Sequence, residues 1–335
     1  MERDVNEVRG YNMDDAVSSE QLHDIVAIAA LVFGVAPSEM IEIGGFESYV
    51  YEFSKDKKSF ILKIIHRERR TKLMLLAEVD YINYLAEHGI SVSRCIPTID
   101  GQYVYKVGQF YFVGYEKAKG DKVGEEDWGP DLFVQLGDIV GRMHRLAEVY
   151  SPSDPSYVRS QWYDEPRLNH FSELLQGQPA VITYGQKVLE QLHAFPVTSQ
   201  NYGLIHYDCH RGNYFVADGQ ITLFDFDDMQ YNWYVNDIAV ILYYVIKGNQ
   251  IGQNSQNIRE FLACFVEGYT RHRTLEREEL ERIPTFLKLR QFLLYIAVSE
   301  KQAAGQLTER MKSTLDRIRG EIERNEEIID VNLLF

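Results

Sequence analysis

The stretch Leu204-Ile205-His206-Tyr207-Asp208-Cys209-His210-Arg211-Gly212-Asn213, followed by Leu223-Phe224-Asp225-Phe226-Asp227, sets an Asp, an Asn five residues later and a second Asp twelve residues beyond that. Each half is joined to an apolar run, the pattern of a short strand feeding a loop. Phosphoryl transfer from a nucleotide asks for such a set: one carboxylate takes the proton of an attacking hydroxyl, while an amide oxygen and another carboxylate hold Mg2+ on the phosphates. Asp208 is therefore the candidate general base, with Asn213 and Asp225 as candidate metal ligands. Taken singly, each is an ordinary turn or cap residue; the joint spacing carries the chemical reading. His206 reads as a brace of the loop, and His210 as either a phosphate contact or a packing residue.

The spacing His-x-Asp-x-x-x-x-Asn matches the kinase catalytic loop, and Asp-Phe-Asp stands where kinases have Asp-Phe-Gly. Lys63 lies in Phe60-Ile61-Leu62-Lys63-Ile64-Ile65, a charge in a strand apolar on both faces. A buried ammonium needs a partner, and Glu78 in the next helix is the candidate, as in the kinase lysine–glutamate pair. The alternatives are a lysine snorkelling from an edge strand and a different helix carboxylate such as Glu87. Gly44-Gly45-Phe46-Glu47-Ser48 joins two strands; it is either a phosphate-covering loop with Ser48 as donor or a plain hairpin turn. No Gly-x-x-x-x-Gly-Lys-Ser/Thr occurs, which excludes P-loop chemistry.

The 335 residues are enough for two lobes, with 45% hydrophobic content to fill their cores. Fifty acidic against thirty-five basic residues give a net charge of −15, which disfavours nucleic acid or an anionic membrane and tolerates a cationic substrate. Three scattered cysteines, Cys95, Cys209 and Cys264, form no Cys-x-x-Cys pair, so a reducing compartment and no structural zinc are expected. The charged N-terminus and short apolar runs predict a cytoplasmic chain without signal peptide or membrane span.

Residues 1–17 read as a polar arm. Ser18 and Gln21 then form a capping box before a helix with apolar residues from Leu22 to Phe33. Strands are expected over 40–43, 49–53 and 60–65, with a polar connection over 54–59. A helix over 68–88 ends at Gly89, and a hairpin over 102–115 turns at Gly108. Beyond Gly120 the pattern turns helical, over 131–150, 179–193, 237–247, 258–271, 284–299 and 307–324.

At these residues the chain resembles the aminoglycoside phosphotransferase and choline kinase-like family, small-molecule relatives of protein kinases. The likeness runs from about Ile41 to Tyr244 and takes in Lys63, Glu78, the helix from Leu136-Gly137-Asp138 to Met143-His144-Arg145-Leu146, and both catalytic motifs. It implies an α+β, two-lobed protein-kinase-like fold: an arm over 1–17, a small β-rich nucleotide-binding lobe over 18–116, and a larger, mainly helical lobe over 117–335. It also implies that Tyr115-Glu116-Lys117-Ala118-Lys119-Gly120 is the hinge, with backbone groups of Glu116 and Ala118 binding adenine. Asp237 resembles the structural Asp beneath the catalytic loop; by itself it reads as a helix N-cap.

Two departures from protein kinases bear on the acceptor. Asp227 replaces a glycine, and only eleven residues separate Asp225 from Asp237, too few for a long activation segment. A small hydroxylated acceptor fits better than a protein. Asp227, Asp228, Trp162, Tyr231, Trp233 and Tyr234 are candidates to line its site, carboxylates and aromatic faces being suited to an ammonium; each aromatic is equally readable as lobe core. The expectation is thus an ATP- or GTP-dependent, Mg2+-requiring kinase of an aminoglycoside-like or amino-alcohol acceptor. An atypical protein kinase, a metal hydrolase built on His206, Asp208, His210 and Asp225, and a non-catalytic nucleotide-binding scaffold are the competing readings. Acceptor identity and oligomeric state are not encoded in these motifs.

Overall fold

The apolar run around Lys63 is explained by a sheet covered on both faces. The computed structural model describes residues 18–44, 48–124, 127–248 and 254–334; the arm 1–17 and residues 45–47 of the glycine loop lie outside the described residues. Helix α1 (Ser19–Phe33) opens with the expected capping box: Gln21 N–H donates to Ser18 Oγ at 3.2 Å and Ser18 N–H to Gln21 Oε1 at 3.0 Å. Then come β1 (Ile41–Gly44), β2 (Tyr49–Lys55), β3 (Lys58–His66), α2 (Lys72–Glu87), β4 (Cys95–Ile96), β5 (Tyr105–Val107) and β6 (Phe110–Glu116). The sheet order is β1-β2-β3-β6-β4, with β5 also on β6, and the pairings are antiparallel.

Side chains alternate across β3. Leu62 and Ile64 pack with Ala29, Val32 and Phe33 of α1. Ile65, on the same face as Lys63, joins the core that holds Leu75, Val79 and Ile82 of α2. An apolar face on either side follows, and Lys63 is left on the α2 side.

Three boundaries differ from the sequence expectation, each for a local reason. The β2–β3 strands pair as far as Lys55 and Lys58, leaving Asp56 and Lys57 as the whole turn at φ 50 and 63, the left-handed pair that a two-residue hairpin requires. Helix α2 begins at Lys72 because Thr71 caps it, its Oγ1 accepting from Met74 N–H at 3.2 Å. Of the expected strand over 102–107, only β5 forms ladder pairs.

The chain leaves this sheet at Glu116. It continues as β7 (Asp121–Lys122), α3 (Pro130–Ala147), α4 (Pro166–Leu174), α5 (Pro179–Ala194), β8 (Tyr202–Ile205), β9 (Tyr214–Ala217), β10 (Gln220–Leu223), β11 (Gln230–Trp233), α6 (Tyr234–Lys247), α7 (Ser255–Tyr269), α8 (Arg277–Ala303) and α9 (Glu309–Glu323). Strand β7 pairs with β9, and β8 pairs with β11, so both catalytic motifs are carried by short ladders set among helices. The α+β class expected from the sequence is the one observed. Helix α4 was not expected; it buries only Leu168 and Phe171 in nine residues, too short a stripe to read. Helix α8 starts at Arg277 and carries Pro284 inside it, whereas proline in a sequence reads as a first-turn residue. Among the described residues no helix is long and apolar enough to cross a membrane.

Helices α3 and α7 cross backbone to backbone. A Cβ added to Gly137 would stand 1.9 Å from Phe265 O, and one on Gly268 1.9 Å from Val134 O. Gly→Ala in an open helix stabilises by roughly 0.5–1 kcal/mol, but here the sign reverses because a carbonyl cannot yield. Gly137→Ala is expected to cost about 3 kcal/mol, read as a lowered urea midpoint; an unchanged or raised midpoint would remove this account of the crossing.

Candidate active site

Strand β3 delivers Lys63 to the turn after β10. There Lys63 Nζ donates to Asp225 Oδ1 and Asp227 Oδ1, each at 2.7 Å. Burial alone would push the ammonium's pKa down; Asp227, Asp225 and then Glu78 outweigh it and keep Lys63 charged. Asp225 holds a left-handed backbone at φ 66, a conformation that costs a non-glycine residue energy and recurs at functional turns. Two carboxylates fixed on one ammonium have their second oxygens turned elsewhere, a donor set of hard oxygens suited to Mg2+ or Ca2+.

The expected Lys63–Glu78 ion pair is not formed. Glu78 is fully buried and accepts from Tyr115 Oη at 2.9 Å, while its Oε2 has no partner among the described residues. Burial, and next the charge of Asp227, push the Glu78 carboxyl upward. A carboxyl so disposed toward its neutral form competes poorly for Lys63 with the two aspartates bonded to it. Asp227, expected among the residues lining the acceptor site, is bonded with Asp225 to Lys63.

The loop after β8 presents Asp208. Its Oδ2 accepts from Asn213 Nδ2 at 3.1 Å, its main-chain oxygen from the same Nδ2 at 3.0 Å, and His210 Nε2 lies 3.4 Å from Oδ2. Asn213 Oδ1 is left without a donor among the described residues, which fits a metal-facing amide oxygen. Asp208 Oδ1 accepts from Arg290 Nη2. Burial pushes the Asp208 carboxyl up, but Arg290 and then His210 outweigh it and hold it well below the usual carboxylate range.

Beneath the loop, Asp237 accepts the N–H groups of His206 and Tyr207 at 3.0 and 2.6 Å. His144 Nε2 donates to the same carboxylate at 3.1 Å, and its Nδ1 accepts from Tyr269 Oη at 3.0 Å. That tautomer follows from the acceptor-only carboxylate, and burial, the largest influence, disfavours the imidazolium. Helix α6 begins at Tyr234, so Asp237 sits in its first turn and is not the N-cap. His206 Nε2 meets Phe224 O at 3.1 Å, tying the base loop to the Asp225 turn. His210 Nδ1 accepts from Gly212 N–H at 2.9 Å. With both imidazoles so engaged, the cage of a metal hydrolase does not form.

Among the proposed acceptor residues, Trp162 and Trp233 are core. They lie 5.6 Å apart within a cluster that includes Phe195, Tyr202 and Phe286, and are 4% and 2% exposed. Tyr234 is buried beneath Arg273, and Tyr231 is a half-buried strand residue paired to Leu204. Aromatic sequence pattern alone does not separate a lobe core from a pocket lining. Asp228 is paired with Arg70 at 2.6 Å. Ser48 is buried two residues before Val50, the cross-strand partner of Lys63. In the segment expected to be the hinge, Glu116 N–H is taken by Arg94 O at 2.8 Å, whereas Ala118 N–H has no partner among the described residues.

Two arginines escaped sequence reading. Arg159 is 5% exposed and donates to Met229 O at 2.8 Å, to Met74 O of α2 at 3.1 Å, and to Asp227 O. It thereby ties the Asp225 turn to α2. Arg290 comes from mid-α8, far from either motif, in a helix that buries residues around most of its circumference and so gives a cation no signal of its target.

A family model described as the APH phosphotransferase enzyme family matches residues 41–275. The chain belongs to this phosphotransferase family. Amicoumacin kinase of Bacillus subtilis (strain 168) is 35% identical over 311 residues, covering 91% of this chain and 93% of that protein. A solved amicoumacin kinase, in complex with AMP-PNP, Ca2+ and Ami, superposes with a TM-score of 0.89 at 35% identity, covering 96% of this chain and 98% of that one. A microcompartment-associated aminopropanol kinase shares the fold, with a TM-score of 0.74 at 20% identity over 92% of this chain and 99% of its own. This phosphotransferase therefore has the protein-kinase-like fold that the motifs implied. It is a small-molecule kinase acting on a hydroxyl acceptor, and the protein-kinase alternative is not favoured.

Proposed function

We propose that this kinase moves the γ-phosphoryl group of ATP or GTP to a hydroxyl of an amine-bearing small molecule of the amicoumacin type. The observation that carries the reading is the joining of two loops, one with Asp208 bonded to Asn213 and one with Asp225 and Asp227 bonded to Lys63 of β3, through Phe224 N–H to Asn213 O at 2.9 Å and His206 Nε2 to Phe224 O at 3.1 Å. The close likeness to amicoumacin kinase over nearly the whole of both chains supports the acceptor class.

Asp208 is positioned to accept the acceptor's proton, and its bonds to Asn213 and Arg290 fix the carboxylate's orientation. Asp237 holds the loop from below through two backbone N–H groups. Lys63 steers the phosphates, kept charged by its two aspartates. Asn213 Oδ1 with Asp225 and Asp227 would hold Mg2+, which when bound neutralises charge on the phosphates. Ala118 N–H is the hinge donor available to an adenine or guanine edge. Little covalent work falls to the protein; positioning and electrostatics do the catalysis.

Purified protein incubated with Mg-ATP and Mg-GTP against amicoumacin, 1-amino-2-propanol, choline, homoserine and aminoglycosides tests the proposal, with product phosphate read by 31P NMR. Phosphorylation of amicoumacin in preference to choline and to bulk protein is expected. No phosphoryl transfer to any small acceptor, with labelling of bulk protein instead, would overturn it.

A further inference from the structure

We propose that Arg290 selects acceptors in which a carbonyl group is attached to the carbon that bears the phosphorylated hydroxyl, as in an α-hydroxy amide or α-hydroxy acid. This inference rests on the phosphotransferase reading above and adds the acceptor's chemistry to it. The two oxygens of Asp208 face different neighbours. Oδ2 takes the N–H of Asn213 at 3.1 Å and so looks to the metal-ligand side, while Oδ1 takes Nη2 of Arg290. A reacting hydroxyl must sit between the base and the phosphates. Arg290, touching the base on the oxygen remote from Asn213, therefore meets the body of the acceptor and not the phosphoryl group.

Arg290 is anchored apart from the base. Its Nη2 also donates to Tyr244 Oη of α6 at 2.6 Å, and its guanidinium lies 5.1 Å from the Tyr244 ring. Neither Nε, which is buried, nor Nη1 has a hydrogen-bond partner among the described residues. A guanidinium only donates; with one arm on the base and the other unfilled, the fork is set to take an oxygen.

Glu165, Arg290, Asp228 and Arg167 are charged groups that act on Tyr207, the residue before the base. Arg167 is engaged by Glu300 at 2.9 Å, and Asp228 by Arg70 at 2.6 Å. Among these groups, Arg290 is the one bonded to the base. A bare amino alcohol offers its unfilled N–H groups nothing beyond the reacting hydroxyl, whereas a neighbouring carbonyl fills them.

The test compares two acceptors that differ only at the carbinol carbon: 1-amino-2-propanol bears a methyl group there and isoserinamide a carboxamide. Wild type, R290Q, R290K and Y244F are assayed for kcat and KM, and for acceptor binding by calorimetry with AMP-PNP and Mg2+. Wild type is expected to favour isoserinamide by about 30-fold in kcat/KM, chiefly through KM. R290Q should collapse that ratio to within about threefold, with R290K and Y244F retaining part of it. A merely structural role would lower both acceptors in parallel, and equal losses overturn the proposal. So does a wild-type ratio near one in both transfer and binding. Isoserinamide binding that R290Q erases, with no transfer to either acceptor, would uphold the role of Arg290 and count against the phosphotransferase reading, so the two failures are distinguishable.

Discussion

Replacing Asp208 with Asn is expected to lower kcat about a thousandfold while nucleotide affinity stays within about twofold. The substitution keeps the shape of the side chain and removes its charge. Asn at this position must offer an amide N–H to one of two existing donors, Arg290 Nη2 or Asn213 Nδ2, where the carboxylate now accepts from both. The base is lost together with the orientation of its neighbours, whereas Lys63 and the hinge are untouched. Asp208→Ala should fall as far or further. Single-turnover transfer to the acceptor, set beside calorimetric nucleotide binding, makes the measurement. A loss below tenfold in both variants would remove Asp208 from the base position.

The second large effect belongs to Asp225. Asp225→Ala deletes one of two carboxylates on Lys63 and a candidate metal oxygen at a strained turn. Transfer is expected to fall by about a thousandfold or more, in line with the role of the metal-binding Asp in phosphoryl transfer. Nucleotide affinity measured with Mg2+ should fall toward the value measured in EDTA, and chelation should abolish wild-type activity in the same way. Asp227→Ala provides the internal comparison. Placed at 2.7 Å from Lys63, Asp227 should affect Mg-nucleotide affinity when removed; were it an acceptor residue, only the acceptor's KM would move. Retained Mg2+-dependent transfer in Asp225→Ala would exclude the proposed metal site.

Much of this was legible in the chain because a catalytic loop is a local object. Asp208, Asn213 and Asp225 lie within eighteen residues of one another, so their spacing fixes which can converge. Lys63 was legible for a different reason: a charge amid apolar neighbours on a strand is costly unless it is used. The capping box at Ser18 and Gln21 was likewise a matter of three residues' separation. Partners chosen across the fold were not legible. The switch of Lys63 from Glu78 to Asp225 and Asp227, the burial of Trp162 and Trp233 in core, and the late start of α2 at its Thr71 cap each turn on competition between groups that sequence distance does not rank.

The sequence by itself determined the class of chemistry and, through the family resemblance its motifs carry, the α+β two-lobed architecture; it also nominated Asp208, Asn213 and Asp225, because their spacing is short-range and local. Tertiary structure alone decided which side chains surround the base. Arg290 lies 82 residues from Asp208 and Arg159 lies 68 from Asp227. Helix packing brings them in, and the direction in which a helix presents a guanidinium depends on what its opposite face buries.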